Sequence, residues 1–153
     1  MSRSASDRMP ATAPDTQAQG ALRRWLRERE DLTARLCALA NALGSHAPRK
    51  PQPELDRFCE VLVDYVSAGH FEVYRTLLEQ HDRLGTAAEA IELYDLILPS
   101  TEAALDFNDR YFRGGKGVAL ARDLSALSRL LASRFDCEDA LMRSLGVAVR
   151  PYA

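Results

Sequence analysis

Lysine is almost missing from this chain of 153 residues: among 20 basic residues only Lys50 and Lys116 are lysine, the rest being arginine. Against 22 acidic residues the formal net charge is -2 and the isoelectric point is near 5.9. No global positive field exists to hold phosphate backbones, which argues against direct nucleic-acid binding. Cysteine is equally sparse. Cys37, Cys59 and Cys137 lie far apart without a Cys-x-x-Cys pair, so neither a disulfide framework nor a zinc clip is expected. They read as small buried hydrophobes in a reducing cytosol. No apolar run approaches the roughly 18 residues of a membrane span, and Met1 to Gly20 has no apolar centre for a secretory signal. A cytoplasmic protein is expected, with no membrane association.

What is present is helical periodicity. The length suits one domain of about 150 residues. Residues 1–17, rich in Ser, Ala, Thr, Pro and Asp, bury too little to offset ordering and predict a disordered N-terminal tail. Residues 18–146 form the expected domain and 147–153 a short C-terminal tail. The first helix runs from Ala18 to Leu43, with Leu22, Trp25, Leu26, Leu32, Leu36, Leu39, Ala40 and Leu43 on its apolar side and Gly44 ending it. Pro48, Pro51 and Pro53 make the following stretch a loop. A second helix begins near Glu54 and carries Leu55, Phe58, Leu62, Tyr65, Val66, Val73 and Leu77 as far as Leu84–Gly85, with a weak point at Ser67–Ala68–Gly69 where it would kink.

Thr86 with Glu89 has the form of a capping box opening a third helix through Ile91, Leu93, Tyr94 and Ile97. Beyond Pro99 the pattern resumes at Ala103, Leu105, Phe107 and Tyr111, giving a kinked helix or two consecutive ones. After a glycine-rich break at Arg113 to Gly117, the last helix spans about Val118 to Leu145 with Leu120, Leu124, Leu127, Leu131, Phe135, Leu141 and Leu145 on one stripe. With four long amphipathic segments and no period-2 alternation, the fold class is all-α, an antiparallel helical bundle with a four-helix core.

Catalytic chemistry finds little support. Di-iron bundles use Glu-x-x-His pairs, but the residues three before His46, His70 and His81 are Leu43, Ser67 and Leu78. Gly114-Gly115-Lys116-Gly117 lacks the Gly-Lys-Ser/Thr ending and the preceding strand of a phosphate cradle, and reads as a loop. No nucleophile elbow is present. No cofactor, no metal and no enzymatic activity are expected.

The informative segment is Phe58 to Leu78. On one continuous helix its core stripe leaves Glu60, Asp64, Ser67, Phe71, Tyr74 and Leu78 on the opposite side, mixing large apolar groups with acidic and hydroxyl groups. Three accounts of that strip remain open. A neighbouring segment of the same protein covers it; a kink at Gly69 re-phases the helix and makes Phe71 and Tyr74 core; or it is an acidic, aromatic surface for a basic partner. His70 flanks the strip.

Residues 58–74, reading FCEVLVDYVSAGHFEVY, closely resemble the signature of the Rsd/AlgQ family, the regulators of sigma D. Arg24-Trp25-Leu26, Ala104 to Arg110, Arg134-Phe135 and Glu138-Asp139 agree with it, and the resemblance covers about residues 18 to 145, closest to the AlgQ branch. Where the family usually has Asp before Arg-Trp-Leu, this chain has Arg23. The N-terminal tail and the Gly114 to Gly117 loop also depart from the family pattern. The resemblance implies an anti-sigma factor that binds the C-terminal, -35-recognising domain (region 4) of the housekeeping sigma factor and blocks its use by core RNA polymerase and promoter. It carries Asp64, Ser67, His70 and Phe71 over as sigma contacts, with Glu60 and Tyr74 beside them on the strip. Asp64 would pair with a basic side chain, Ser67 would allow close approach and donate a hydrogen bond, and Phe71 would fill an apolar pocket. The alternatives are a module of the same fold that binds another regulator, such as a phosphocarrier or a metabolic enzyme, and a metal-dependent bundle enzyme.

Overall fold

The computed structural model describes residues 16–44, 51–68, 72–115 and 117–143. Among them it contains five α-helices and no strand: α1 (Thr16–Gly44), α2 (Gln52–Ala68), α3 (Tyr74–Arg83), α4 (Ala87–Tyr111) and α5 (Leu120–Arg143). The all-α bundle stands, with five helices where the sequence pattern counts four. The predicted second helix is described as two, α2 and α3, with residues 69–71 outside the described chain and a wider π turn at Glu72 and Val73 leading into α3. Helix α1 starts at Thr16, inside the segment predicted as tail, and the remaining tail residues lie outside the described chain.

Local chemistry fixes the other boundaries. Helix α2 opens with Pro53 in its first turn, where a missing N–H costs nothing, and Leu55 N–H donates to Pro51 O at 2.9 Å. Helix α3 closes through a Schellman motif: Gly85 takes a left-handed φ of 75°, its N–H reaches Asp82 O at 3.2 Å, and Thr86 N–H reaches His81 O at 2.9 Å. Thr86 is the N-cap of α4, as the sequence predicts, but its side chain makes no capping hydrogen bond. Its hydroxyl instead engages buried His81, 2.7 Å from Nδ1, while His81 Nε2 sits 3.0 Å from Leu141 O on α5. Helix α4 continues through exposed Pro99 as one helix.

Pairs of side chains set the helix directions. Ser100 and Thr101 in the middle of α4 meet Arg134 late in α5, and Tyr111 at the end of α4 meets Asp123 at the start of α5, so these two helices are antiparallel. Gln52 at the start of α2 reaches Tyr111 O at 3.4 Å, and Phe58 packs edge-on against Phe107, which runs α2 antiparallel to α4. Trp25 early in α1 stacks on Tyr65 late in α2, making that pair antiparallel as well. The core between them is built from Leu22, Trp25, Leu32 and Leu39 of α1, Leu55, Phe58, Leu62 and Tyr65 of α2, and Leu124, Leu127 and Leu131 of α5. On α1 Cys37 and Ala40, both expected to be buried, are exposed, and two predicted core residues of α4 also lie elsewhere: Ile91 is 52% exposed and Leu105 is 43% exposed. With Leu98 they recur every seven residues along the outer side of α4, while Ala90, Ile97, Ala104 and Phe107 face inward.

The glycine-rich break is a packing device. Arg113 and Gly114 both adopt positive φ, at 54° and 73°, and turn the chain out of α4. A Cβ on Gly115 would lie 2.2 Å from Arg110 O, and one on Gly117 would lie 2.2 Å from the Tyr111 ring. Gly117 N–H closes the turn on Arg110 O at 3.0 Å, and Asp56 of α2 accepts from Arg113 N–H at 2.7 Å. The ring of Tyr111 has no freedom to yield, because its hydroxyl donates to Asp123. Gly117→Ala is therefore expected to destabilise the fold by about 1–3 kcal/mol, measured as a lower urea midpoint at unchanged m-value.

Candidate functional site

Three residues of the predicted strip form one exposed face of α2. Glu60, Asp64 and Ser67 follow at i, i+4 and i+7, so they stack along one side, while Leu62, Tyr65 and Val66 are buried on the other. Glu60 shares its charge with Arg57, 3.2 Å away across one turn. Asp64 makes no ion pair or hydrogen bond among the described residues, which leaves a bare carboxylate in the centre of the face. Cys59, beside Glu60 in sequence, is fully buried, and burial together with Asp56 and Glu60 pushes its thiol up to about 12, so it carries no thiolate.

The strip ends there. His70 and Phe71 lie outside the described residues. Tyr74, assigned by the sequence pattern to the same exposed strip, is 1% exposed and belongs to the core. The physical reason is the break between α2 and α3: phase counted from Phe58 does not carry across it. Leu78 is half-buried against the core for the same reason.

Tyr74 leads into a buried polar cluster. The Tyr65 O–H donates to Glu138 Oε1 at 2.7 Å, and the Tyr74 O–H donates to Glu138 Oε2. Arg134, one turn earlier on α5, donates from Nε to Glu138 Oε2 at 3.2 Å and from Nη1 to Ser100 Oγ at 3.1 Å and Thr101 Oγ1 at 2.8 Å. Arg29 of α1 pairs with Asp139 at 2.6 Å and places Nη1 3.7 Å from Glu138 Oε1. Two arginines thus face two carboxylates, and all five helices contribute.

Aromatic rings wall this cluster. Tyr65 stacks on Trp25 with centroids 5.7 Å apart and planes 7° apart, and Tyr74 stands edge-on to Trp25 and to Tyr94. The Arg134 guanidinium lies 5.6 and 5.7 Å from the Tyr65 and Tyr74 ring centroids, within cation–π range. Burial drives the Glu138 carboxyl up, against the pull of Arg134, the two tyrosine hydroxyls and Arg29. The donors that converge on both of its oxygens favour the ionised form. Burial opposes the Arg134 charge too, but Tyr74, Glu138 and Tyr65 outweigh it and hold the guanidinium protonated. Burial and the neighbouring Glu138 charge push both phenols above their ordinary value, so both remain donors.

Sequence patterning did not single out this cluster: Arg134, Glu138 and Asp139 entered only through the family resemblance, and Arg29 not at all. The available signal was their place in the helical phase: Arg134 and Glu138 fall beside Leu127, Leu131 and Leu141 on the inward side of α5. Among the described residues no group of three or more His, Cys, Asp or Glu is placed to hold a metal ion. Among the described residues that line the open cleft beside the α4–α5 turn, Arg110 and Arg122 both face Asp123, at 3.6 and 3.8 Å. No helix among the described residues is long and apolar enough to cross a membrane.

The fold and its polar groups define an all-helical bundle with a buried ionic cluster, whose outward-facing α2 carries an acidic face on which Glu60 pairs with Arg57 and Asp64 has no partner among the described residues. The family described as "Regulator of RNA polymerase sigma(70) subunit, Rsd/AlgQ" matches residues 9–146, and the chain belongs to that family. The family is one of sigma-factor regulators and not of enzymes. The regulator of sigma D of Shigella dysenteriae serotype 1 (strain Sd197) is 32% identical over 129 residues, which cover 78% of this chain and 79% of the relative. That of Salmonella arizonae (strain ATCC BAA-731 / CDC346-86 / RSK2980) is 30% identical over 128 residues, 78% of this chain and 77% of the relative. That of Yersinia enterocolitica serotype O:8 / biotype 1B (strain NCTC 13174 / 8081) is 28% identical over 128 residues, 78% and 76% of the two chains. No solved structure matches the chain.

The buried phenols make stability sensitive to alkali. The unfolded chain releases their protons near the ordinary value of 10.0, whereas the folded chain retains them, so unfolding releases protons there. Stability should therefore fall as pH rises above about 10. Urea midpoints measured from pH 8 to 11 should show this slope, and the Tyr65→Phe/Tyr74→Phe double variant should flatten it.

Proposed function

We propose that this protein is an anti-sigma factor: it binds the C-terminal, -35-recognising domain of the housekeeping sigma factor and withholds it from core RNA polymerase and promoter. The outer face of α2 is the contact surface, with Glu60, Asp64 and Ser67 as its described part; His70 and Phe71 join it as contacts on the family resemblance alone. The observation that carries this reading is the exposed, unpaired carboxylate of Asp64 between Glu60 and Ser67, on a helix whose opposite side is fully buried. A domain that reads promoter DNA through a helix-turn-helix presents basic groups to phosphates and base edges. An acidic face with an adjacent hydroxyl is complementary to those same groups, so occupancy by this protein and by DNA exclude one another. The mechanism is occlusion, with no bond made or broken. The family's description as regulators of the sigma(70) subunit supports the choice of partner.

Calorimetric titration of the full chain with the isolated C-terminal domain of its host's housekeeping sigma factor tests this. Saturable binding at micromolar or lower Kd is expected, weakened by about 1–4 kcal/mol in Asp64→Ala. Because Asp64 is exposed and unpaired, its thermal stability should stay near wild type, whereas Leu62→Ala in the core should lose about 2–5 kcal/mol. Absence of binding at high concentration, or an Asp64→Ala titration that matches wild type, would sink the proposal.

A further inference from the structure

We propose that Glu138 is a positioning residue for sigma binding: from inside the bundle its carboxylate clamps the end of α2 to the start of α3, and so sets how Asp64 and Ser67 are presented. This rests on the reading of the α2 face given above.

The two oxygens of this carboxylate serve two different helices. Oε1 accepts from Tyr65, which sits in the last turn of α2 between Asp64 and Ser67, and Oε2 accepts from Tyr74, the first residue of α3. Tyr65 and Asp64 are consecutive, so their side chains diverge by about 100° around one short stretch of backbone. Fixing the Tyr65 hydroxyl therefore fixes the direction in which Asp64 leaves the helix. The last four carbonyls of a helix lack internal donors, and a helix end without a cap frays. At the end of α2 the restraint comes from Tyr65, through its stack on Trp25, its edge contact with Phe135 and its bond to Glu138.

The carboxylate itself does not move. Arg134 holds Oε2 at 3.2 Å and is tied in turn to Ser100 and Thr101 of α4, so the clamp is referenced to the α4–α5 pair, far from the exposed face. Glutamate is needed for its two equivalent acceptors. An amide at this position would keep one acceptor and lose the charge that pairs with Arg134, and its N–H₂ on the Oε2 side would face the Arg134 Nε donor. Glu138 has no exposed surface, so it acts on the partner only through the residues it positions.

The variants that test this keep every ring in the core. Tyr74→Phe cuts the clamp on the α3 side and Tyr65→Phe cuts it on the α2 side. Ser100→Ala removes one of the two α4 hydroxyls on Arg134 and leaves Thr101 and all three donors on Glu138 in place, which controls for lost stability alone. Each full-length protein is titrated with the sigma C-terminal domain well below its own melting temperature. Amide hydrogen exchange is followed at residues 62–68.

Tyr74→Phe and Tyr65→Phe should each raise Kd about threefold or more and speed exchange at 62–68, and the double variant should add little to either. Ser100→Ala should lower the melting temperature with wild-type Kd. Wild-type Kd and exchange in both tyrosine variants would overturn the positioning role while leaving sigma binding standing. A loss of affinity in Ser100→Ala equal to theirs would also overturn it, by showing that general destabilisation is responsible. Failure of the wild-type protein to bind removes the sigma reading and this role with it.

Discussion

The bundle is organised around one buried carboxylate. Removing an ion from water costs several kcal/mol even after the protein relaxes, and the cost is offset only when every lone pair and proton finds a partner. Glu138 meets that condition with donors from Tyr65, Tyr74 and Arg134, and Arg29 stands nearby with its own partner in Asp139. No single helix could supply this set. The donors reach Glu138, and Arg29 reaches Asp139, only when α1, α2, α3 and α5 converge and α4 receives Arg134. An apolar core of leucines would tolerate a helix slipped by one turn, about 5.4 Å, with modest repacking. This core would not, because the same slip strands charges in a dry interior. The cluster thus fixes register more than it adds stability.

How much of this was readable in the sequence follows from the physics of each signal. Leu22, Trp25, Leu32 and Leu39, or Leu124, Leu127 and Leu131, announce themselves because burial of apolar groups on one helix side produces a 3.6-residue period. The outer face of α2 was legible as its complement: once the core stripe is known, Glu60, Asp64 and Ser67 must point away. The period fails where the backbone does. Tyr74 lies beyond a π turn, and no count from Phe58 could place it. It fails again on α4, where aliphatic residues occur all around and the Ala90, Ile97 and Ala104 side proved to be the inward one.

Polar residues were the least legible, for a reason that is general. Arg134 and Glu138 share the helical phase of Leu127, Leu131 and Leu141, but what admits a charge to that inward side is its partners, which for Arg29 lie as far as 110 residues away in sequence. Thr86 shows the same limit locally: its spacing to Glu89 fits a reciprocal cap, but His81 offers its hydroxyl another partner. The glycines between α4 and α5 resembled a ligand loop in composition alone. Their necessity comes from Arg110 O and the Tyr111 ring, which leave no room for a side chain.

The span of the Arg29–Asp139 bond also dictates an order of assembly. These residues are 110 positions apart, so as the chain is made α1 emerges long before α5 exists to receive it. At roughly 5–20 residues per second the ribosome needs on the order of 5–20 s to cover that distance. Throughout that interval α1 can lay its leucines against α2, but Arg29 has no carboxylate to meet, and the growing chain keeps that end hydrated and open. The final turns of α5 therefore act as the closing step, and the bundle locks only once the chain has been made through Asp139.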